Sequence, residues 1–576
     1  MLGGTRGVYR QPQKSMVPFA AYFSEETIIR ELCRARIKLA GKRHEAAFGH
    51  NIDRAARAPH KIPASDWGPI SEHIFPSRRV WHRFRAKQRH DAPAAGVNER
   101  ALYAAVMALR LQIPKPAWAQ ALDRVVKRIR QRVLSNRAFN FRPPTIIPLL
   151  KQPGTHIYRP LATYTLEDKI IEGLTARYLR TALDKALFRS CMAFRCRTKN
   201  HPPPTTHDAI AAIVAIRAQY PSQPLTVAEC DIKGFFDCVG HRIARESLDD
   251  LISDATRKDP GLVIDSRARE IFEAYLQSYS FLSSVRVKAQ RKLRQRDPQG
   301  TFKWHQQDLQ QLYGSSALPA IGVPQGGALS CLIANAVLHR ADKAIAETVR
   351  QHGTPLLYQR YCDDMILIST TRPACAAAFN AYQGALHELL LPVHAPHLVR
   401  NYNKQFWEEK SKRPYEWSTT AVPWIQFVGY QVRYDSLLRI RPSSLQKQLT
   451  AMTKTADHLI ETLRRAHRRR SIRRAEREIQ HRLRQKLISM SVGRITLGKT
   501  YHGPLPMSWA AGFRGLTGRV HCHNHLKYLD RHRERQLQRV KRYLKKLPLP
   551  QPRPPRKKTD AHKYYGKPFS YSAQFR

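Results

Sequence analysis

The chain is predicted to be an α+β protein, an antiparallel sheet covered by helices between an N-terminal extension and a basic helical C-terminal region. Three observations carry that expectation. Leu356-Leu357-Tyr358 and Met365-Ile366-Leu367-Ile368 are short runs rich in strand formers, close enough to form a hairpin with Tyr361-Cys362-Asp363-Asp364 at its tip. Leu225-Thr-Val-Ala-Glu-Cys is a second β-branched run and ends in Asp231. Elsewhere the apolar period is helical, after the Pro/Gly turn at Gly322 and again from Ser443 to Val492.

Residues 1–95 mix short helical stretches, Glu25 to Leu39 among them, with Pro, His and Gly segments that form no motif. Asn98 to Leu134 repeats at helical spacing with arginines between, and Phe141-Arg-Pro-Pro-Thr ends that pattern before a new domain. Val285 to Asp308 is rich in Lys, Arg and Gln and contains the turn Asp297-Pro-Gln-Gly300, which reads as an inserted surface arm. From Arg464 to Arg484 arginines crowd a helical pattern in which acidic partners are scarce, so a phosphate backbone is the better counter-charge. Leu547 to Arg576 is Pro-rich and basic, as flexible tails are.

With 576 residues, 42% of them apolar, the chain can build several domains. Its 99 Lys and Arg against 44 Asp and Glu give a net charge of +55, a self-repulsion that a polyanion such as nucleic acid relieves. There is no apolar stretch of membrane-spanning length and no apolar signal core at the N-terminus, so a soluble, cytoplasmic protein without a membrane partner is expected. Nine cysteines without a Cys-x-x-Cys pair suit reduced, buried thiols.

Adjacent carboxylates in a tight turn repel each other unless a cation sits between them. Asp363 and Asp364, with Asp231 at another strand end, supply the hard oxygens that two Mg²⁺ ions need, with Mn²⁺ as an alternative. Gly322-Val-Pro324-Gln325-Gly326 is a turn whose backbone can approach a base pair or sugar closely.

The order Asp231, then Pro324-Gln325-Gly326, then Tyr361-Cys-Asp-Asp364 resembles the palm of reverse transcriptases, in particular the bacterial group II intron and related standalone enzymes. The resemblance runs from about 140 to 440. It is supported by Tyr158-Arg159-Pro160-Leu161, by Ala193-Phe194-Arg195 with Thr206-His207-Asp208, and by Phe427-Val-Gly429-Tyr430. It implies a right-hand polymerase fold: fingers over 96–224, a palm with an antiparallel sheet over 225–440 carrying an insertion at about 251–320, a helical thumb over 441–495, and a basic region and tail over 496–576.

The resemblance also implies roles. Asp231, Asp363 and Asp364 would be catalytic and, with the backbone of Ile232, metal-binding. Lys151, Arg159, Phe236, Gln325 and Gly326 would bind the dNTP, with Phe236 excluding a ribose 2′-hydroxyl by clash. Phe427, Gly429 and Tyr430 would form the primer grip, preceded by a lysine for which Lys404, Lys410 and Lys412 are all candidates. Arg468, Arg469, Arg470, Arg473 and Arg474 would hold nucleic acid by its phosphates. Cys362 stands where the family has a small residue.

The implied activity is RNA-directed DNA polymerisation from an RNA template to a DNA product. The implied setting is a standalone enzyme working with a noncoding RNA in anti-phage defence. The alternatives are a group II intron maturase and a non-catalytic RNA-binding relic; the oligomeric state stays open. Two further segments have competing readings. Cys522-His-Asn-His525, with His521, is a zinc site or a structural histidine cluster, and Tyr564-Tyr-Gly-Lys-Pro-Phe569 is a base-stacking or a disordered tail.

Overall fold

The computed structural model describes residues 17–46, 52–53, 73–87, 97–152, 154–197, 202–492 and 520–550. Ten strands in these residues make three sheets. β1 (Thr145–Leu150) and β2 (Ile157–Thr163) form an antiparallel hairpin in which Leu149 faces Arg159. β3 (Leu225–Cys230) is central, and β4 (Thr301–Phe302) runs parallel to β2. β5 (Leu356–Tyr361), β6 (Asp364–Ser369) and β7 (Lys412–Trp417) join β3 in an antiparallel sheet of order β5-β6-β3-β7. β8 (Trp424–Phe427), β9 (Tyr430–Arg433) and β10 (Leu438–Ile440) form a meander.

The four-stranded sheet is covered on both faces, which explains why β6 reads as an unbroken apolar run. Alternate side chains point to opposite faces. Met365 and Leu367 join a core with the helices Ala328–His352 and Arg372–Glu388, while Ile366 and Ile368 join a second core with the helix Thr206–Gln219 and the meander. Full burial of such side chains stabilises the fold by roughly 1.5–3 kcal/mol each. Gly327 precedes the helix Ala328–His352 because a Cβ there would strike the Tyr275 hydroxyl and stand 2.7 Å from Glu172 Oε1. That Glu172 oxygen accepts the otherwise unpaired Leu329 N–H at 3.0 Å.

Several expectations are refined. The Glu25-to-Leu39 helix is present and extends over Glu25–Ala46. Phe19 and Phe23 ahead of it pack in the first core, Phe19 edge-on to Tyr178, so this part of the extension belongs to the main body. The helical pattern from Asn98 to Leu134 is two helices, Val97–Leu109 and Ala117–Leu134, since Pro114 and Pro116 cannot continue a helix.

The segment Val285 to Asp308 is not a bare surface arm. Phe281, Val285, Ala289 and Leu293, four residues apart, bury one helical face with Phe302 against Ile146 and Tyr158 of the β1–β2 hairpin. The predicted turn is there, Gly300 N–H donating to Asp297 O at 2.8 Å, and it is anchored by Tyr158 Oη donating to Asp297 Oδ2 at 2.9 Å.

The pattern from Ser443 to Val492 is also two helices, Pro442–Arg468 and Glu476–Val492, broken where Arg470 takes φ +50°. Val520–Leu544 packs with both, burying Leu526, Leu529, Leu537 and Val540 among Met452, Leu459 and Leu483. Among the described residues no helix is long and apolar enough to cross a membrane.

Candidate active site

The β3–β6 register pairs Cys230 with Met365, and the β5–β6 register pairs Tyr361 with Asp364. Asp231, one residue beyond β3, therefore stands beside Asp364, and Cys362-Asp363 is the two-residue turn between β5 and β6. Cys362 takes φ +61°, in the left-handed region. Burial and then the Asp231 charge raise the Asp363 pKa. Asp364 is pushed up to about 7 by crowding and by the charges of Asp363 and Asp231. Because its side chain reaches solvent, the two neighbouring carboxylates are the more durable of those causes.

The turn is held from below by Arg360, which has no solvent exposure. Its guanidinium donates to both carboxylate oxygens of buried Asp342, at 2.8 and 2.6 Å, and to the Cys362 carbonyl at 3.1 Å. Tyr358 Oη donates to the same carboxylate at 2.7 Å. A bidentate buried pair of this kind fixes the end of β5 in one position.

Asp231 Oδ2 accepts from Lys410 Nζ at 2.8 Å and lies 3.5 Å from His394 Nε2, while its backbone N–H donates to Ser411 Oγ at 3.0 Å. His394 is lowered to about 4 by burial and then by Lys410, so its imidazole is neutral. Ile232 is buried, bridged to Val393, with the Asp231 carbonyl accepting from His394 N–H and Lys233 N–H donating to the Pro392 carbonyl. Among the described residues no group of three or more His, Cys, Asp or Glu is arranged to hold a metal ion as it stands. Lys410 occupies one carboxylate oxygen of the acidic trio.

A cationic rim faces the carboxylates. Lys151 follows β1, and its ammonium is held below the usual range by partial burial and by Lys410, Arg159 and Lys303, with Asp231 opposing. Arg159 also acts on Asp363. The Gln325 turn closes against β2, Ala162 N–H donating to the Gln325 carbonyl at 3.1 Å. Gln325 Nε2 donates to Asp237 Oδ1 at 2.7 Å, and burial pushes that carboxyl up to about 7. Gly326 takes φ +98°, which a side chain would resist, and its carbonyl accepts from Lys169 Nζ at 3.2 Å. Phe235 is buried, whereas Phe236, edge-on to it at 5.2 Å, is half-buried.

The β8–β9 turn reaches the same site. Val428 and Gly429 take φ +38° and +90°, the Gly429 carbonyl accepts Arg441 N–H at 3.0 Å, and the Arg441 charge acts on Asp364. Phe427 and Tyr430 are buried, with Tyr430 Oη 2.8 Å from His207 Nδ1, so it is the backbone turn that this hairpin presents.

Of the three candidate lysines only Lys410 touches the trio. Lys404 is 90% exposed and pairs with Glu408 at 3.3 Å, and Lys412 is buried against Glu229 at 2.8 Å. Arg468, Arg469, Arg470 and Arg473 are exposed, and Arg474 pairs with Glu478 at 3.1 Å. They lie at the end of Pro442–Arg468 opposite Arg441.

Lys303, Asp237 and His394 were given no site role by the sequence, and neither was Arg360. A readable signal existed for Arg360, a lone charge inside Leu-Leu-Tyr-Gln-Arg-Tyr, since a charge within an apolar, buried strand is tolerated only with a buried partner. His525 Nδ1 accepts Ile440 N–H at 3.2 Å, while the side chains of His521, Cys522 and His523, and all of 564–569, lie outside the described residues.

No protein-family model matches the chain, and no curated protein matches it. Among solved structures it is similar to telomerase from Candida albicans with a fragment of telomeric RNA, at 12% identity over 72% of this chain and 67% of that one, with a TM-score of 0.31. It is also similar to apo telomerase from Candida tropicalis, at 11% identity over 91% and 83% with a TM-score of 0.35. The RNA-dependent RNA polymerase of a human picobirnavirus is similar at 9% identity over 92% and 85%, with a TM-score of 0.36.

Proposed function

We propose that the chain is an RNA-directed DNA polymerase that extends a primer with dNTPs, the sheet β5-β6-β3-β7 serving as palm, the β1–β2 hairpin as fingers and the C-terminal helices as thumb. The observation that carries this reading is the strand register that sets Asp231 beside Asp363 and Asp364, facing Lys151, Arg159 and Lys410. Anionic oxygens on one side and cations on the other suit a triphosphate and its counter-ions.

The donor set fits Mg²⁺ or Mn²⁺: three carboxylates brought together by the strand register, two of them with pKa values raised by burial and then by their neighbours' charge, are an oxygen site short of positive charge. Asp231, Asp363 and Asp364, with the Ile232 carbonyl, would hold two ions. Bound there, such ions acidify a primer 3′-hydroxyl and neutralise charge on the leaving pyrophosphate.

The chain's own residues bind and orient. Lys151 and Arg159 take the phosphates, and Lys410 is free to follow once Asp231 has another counter-charge. Gln325, held by Asp237, and the open backbone at Gly326 meet the templating pair or sugar. Phe236 occupies the space a 2′-hydroxyl needs, and the Gly429 turn supports the primer end. Arg360 and Asp342 keep the acidic turn in place.

Purified protein given template RNA, primer, dNTPs and Mg²⁺ is expected to make DNA, and Asp363→Ala with Asp364→Ala to reduce synthesis by at least about 10³-fold. Equal RNA binding by both proteins with no incorporation by either, under varied primers and metals, would overturn the reading and leave the RNA-binding relic. For the biological setting, the proposal is a standalone enzyme paired with a noncoding RNA in phage defence. Sequencing RNA co-purified from cells separates it from the maturase alternative, which requires an intron RNA.

A further inference from the structure

We infer that Lys303, in the segment Val285 to Asp308, is a third phosphate-binding cation of the active site and holds the two phosphates that leave as pyrophosphate. The inference rests on the polymerase reading for the identity of the substrate. The placement of Lys303 does not depend on it.

That placement follows from strand register. β1 and β2 pair Leu149 with Arg159, and two residues on, Lys151 N–H donates to the Ile157 carbonyl at 2.8 Å. β2 and β4 run parallel with Tyr158 beside Phe302, so the next residues, Arg159 and Lys303, are neighbours. Paired residues share a face of a sheet, and residues two apart along a strand share it too. Ile146, Tyr158 and Phe302 therefore point one way, into the core with Phe281, Val285 and Leu293. Lys151, Arg159 and Lys303 point the other way and are exposed. With strands about 4.8 Å apart, three cations from three strands stand within roughly 10 Å. Buried Gln290 fixes β4, its Nε2 donating to the Gly300 carbonyl at 2.7 Å and its Oε1 accepting Phe302 N–H at 3.1 Å. Farther along the same edge of β2, Gln325 bridges Leu161, so the turn that meets the sugar lies in line with these cations.

None of the three makes an ion pair or a side-chain hydrogen bond among the described residues. The acids of the segment are engaged elsewhere, Asp297 by Tyr158 and His156, each at 2.9 Å, and Asp308 by Lys233 at 2.9 Å. Burial first, then Lys410, Arg159 and Lys303, hold the Lys151 ammonium below its usual range, as in an array that repels itself. Cations held together by register and left unbalanced suit a compact polyanion. A nucleic-acid strand spreads single charges along its length. A triphosphate gathers several on one short chain and shares its counter-ions with the carboxylates opposite. The charge of Arg159 acts on Asp363, at the turn where the primer end reacts, whereas that of Lys303 acts on Lys151, His305 and His394. Lys303 is thus set for the phosphates that depart.

The test compares the full chain with Lys303→Gln, Lys303→Arg and Lys292→Gln, the last removing a charge elsewhere on the same segment. Given template RNA, primer, dNTPs and Mg²⁺, Lys303→Gln should raise the KM for dNTP and the inhibition constant of pyrophosphate about tenfold each, as loss of one charge-assisted contact does, with kcat moving far less. Lys303→Arg should recover most of that affinity, and Lys292→Gln should shift KM by less than about twofold. The thermal midpoint of Lys303→Gln should not fall, because a repulsion has been removed.

Unchanged KM and pyrophosphate inhibition in Lys303→Gln, or an equal rise in Lys292→Gln, would overturn the assignment while the polymerase reading stands. A fall in kcat with KM unmoved would overturn it too. If the wild-type chain extends no primer, the polymerase reading fails and calorimetric titration with tripolyphosphate and Mg²⁺ decides: binding that is about tenfold weaker in Lys303→Gln supports the phosphate site, and equal binding or none overturns it.

Discussion

At the scale of single residues, the half-buried ring of Phe236 against the fully buried ring of Phe235 is a division of labour between neighbours, one in the core and one presented to the site. Phe236→Ala is expected to raise ribonucleotide use relative to deoxynucleotide by about 10–100-fold in competition assays, and an unchanged ratio would sink the gate. Arg360→Met leaves Asp342 buried without its partner and should cost about 3–5 kcal/mol, read as a fall in thermal midpoint. Asp342→Leu in the same chain should recover part of that loss. Asp237 makes the pH prediction. Its folded pKa of about 7 lies above the ordinary 3.8, so the folded state holds the extra proton and stability declines as pH rises from 4 through 7. Asp237→Asn keeps an acceptor for Gln325 and should flatten that decline, worth up to roughly 4 kcal/mol at 1.36 kcal/mol per pKa unit.

At the scale of elements, the acidic turn was legible because its ingredients are local: two apolar runs, a short gap and a charge pair. Its supports were not, because Arg360 and Asp342 face each other only once a helix has packed across β5. The same contrast explains the 285–308 segment. Its Lys, Arg and Gln content dominates the composition, while Phe281, Val285, Ala289 and Leu293, which decide that it packs, are a minority spaced four apart. Close approach is likewise invisible in sequence: Gly327 follows Gly326 in one motif, yet Gly326 answers to a positive φ and Gly327 to the Tyr275 hydroxyl. Gly327→Ala should therefore lower the thermal midpoint sharply, and Tyr275→Phe in the same chain should restore part of it.

For the whole molecule, the two apolar cores meet across the four-stranded sheet, so its tip, the β1–β2 hairpin and the β8–β9 turn converge on one place without any loop having to wander. The motif-bearing region was readable as strands and turns, whereas the roles of both ends were not. Phe19, Phe23 and Leu526, Leu529 are ordinary apolar residues whose partners lie far along the chain. Deleting 520–576 would expose Met452, Leu459 and Leu463, and such a chain is expected to be recovered mostly as aggregate on size-exclusion chromatography.

The bond between Ser471 and Asp53 spans 418 residues of chain. On a ribosome adding about 5–20 residues per second, Asp53 waits on the order of 20–80 seconds before its partner is made. The main body has time to fold first, and the clasp between Ile52-Asp53 and Ile472-Arg473 closes around it late. A nascent chain stalled before residue 471 would thus carry every carboxylate of the acidic trio and Arg468 to Arg470, while still lacking Ser471, Ile472 and Arg473, whose bonds to Ile52 and Asp53 close the clasp.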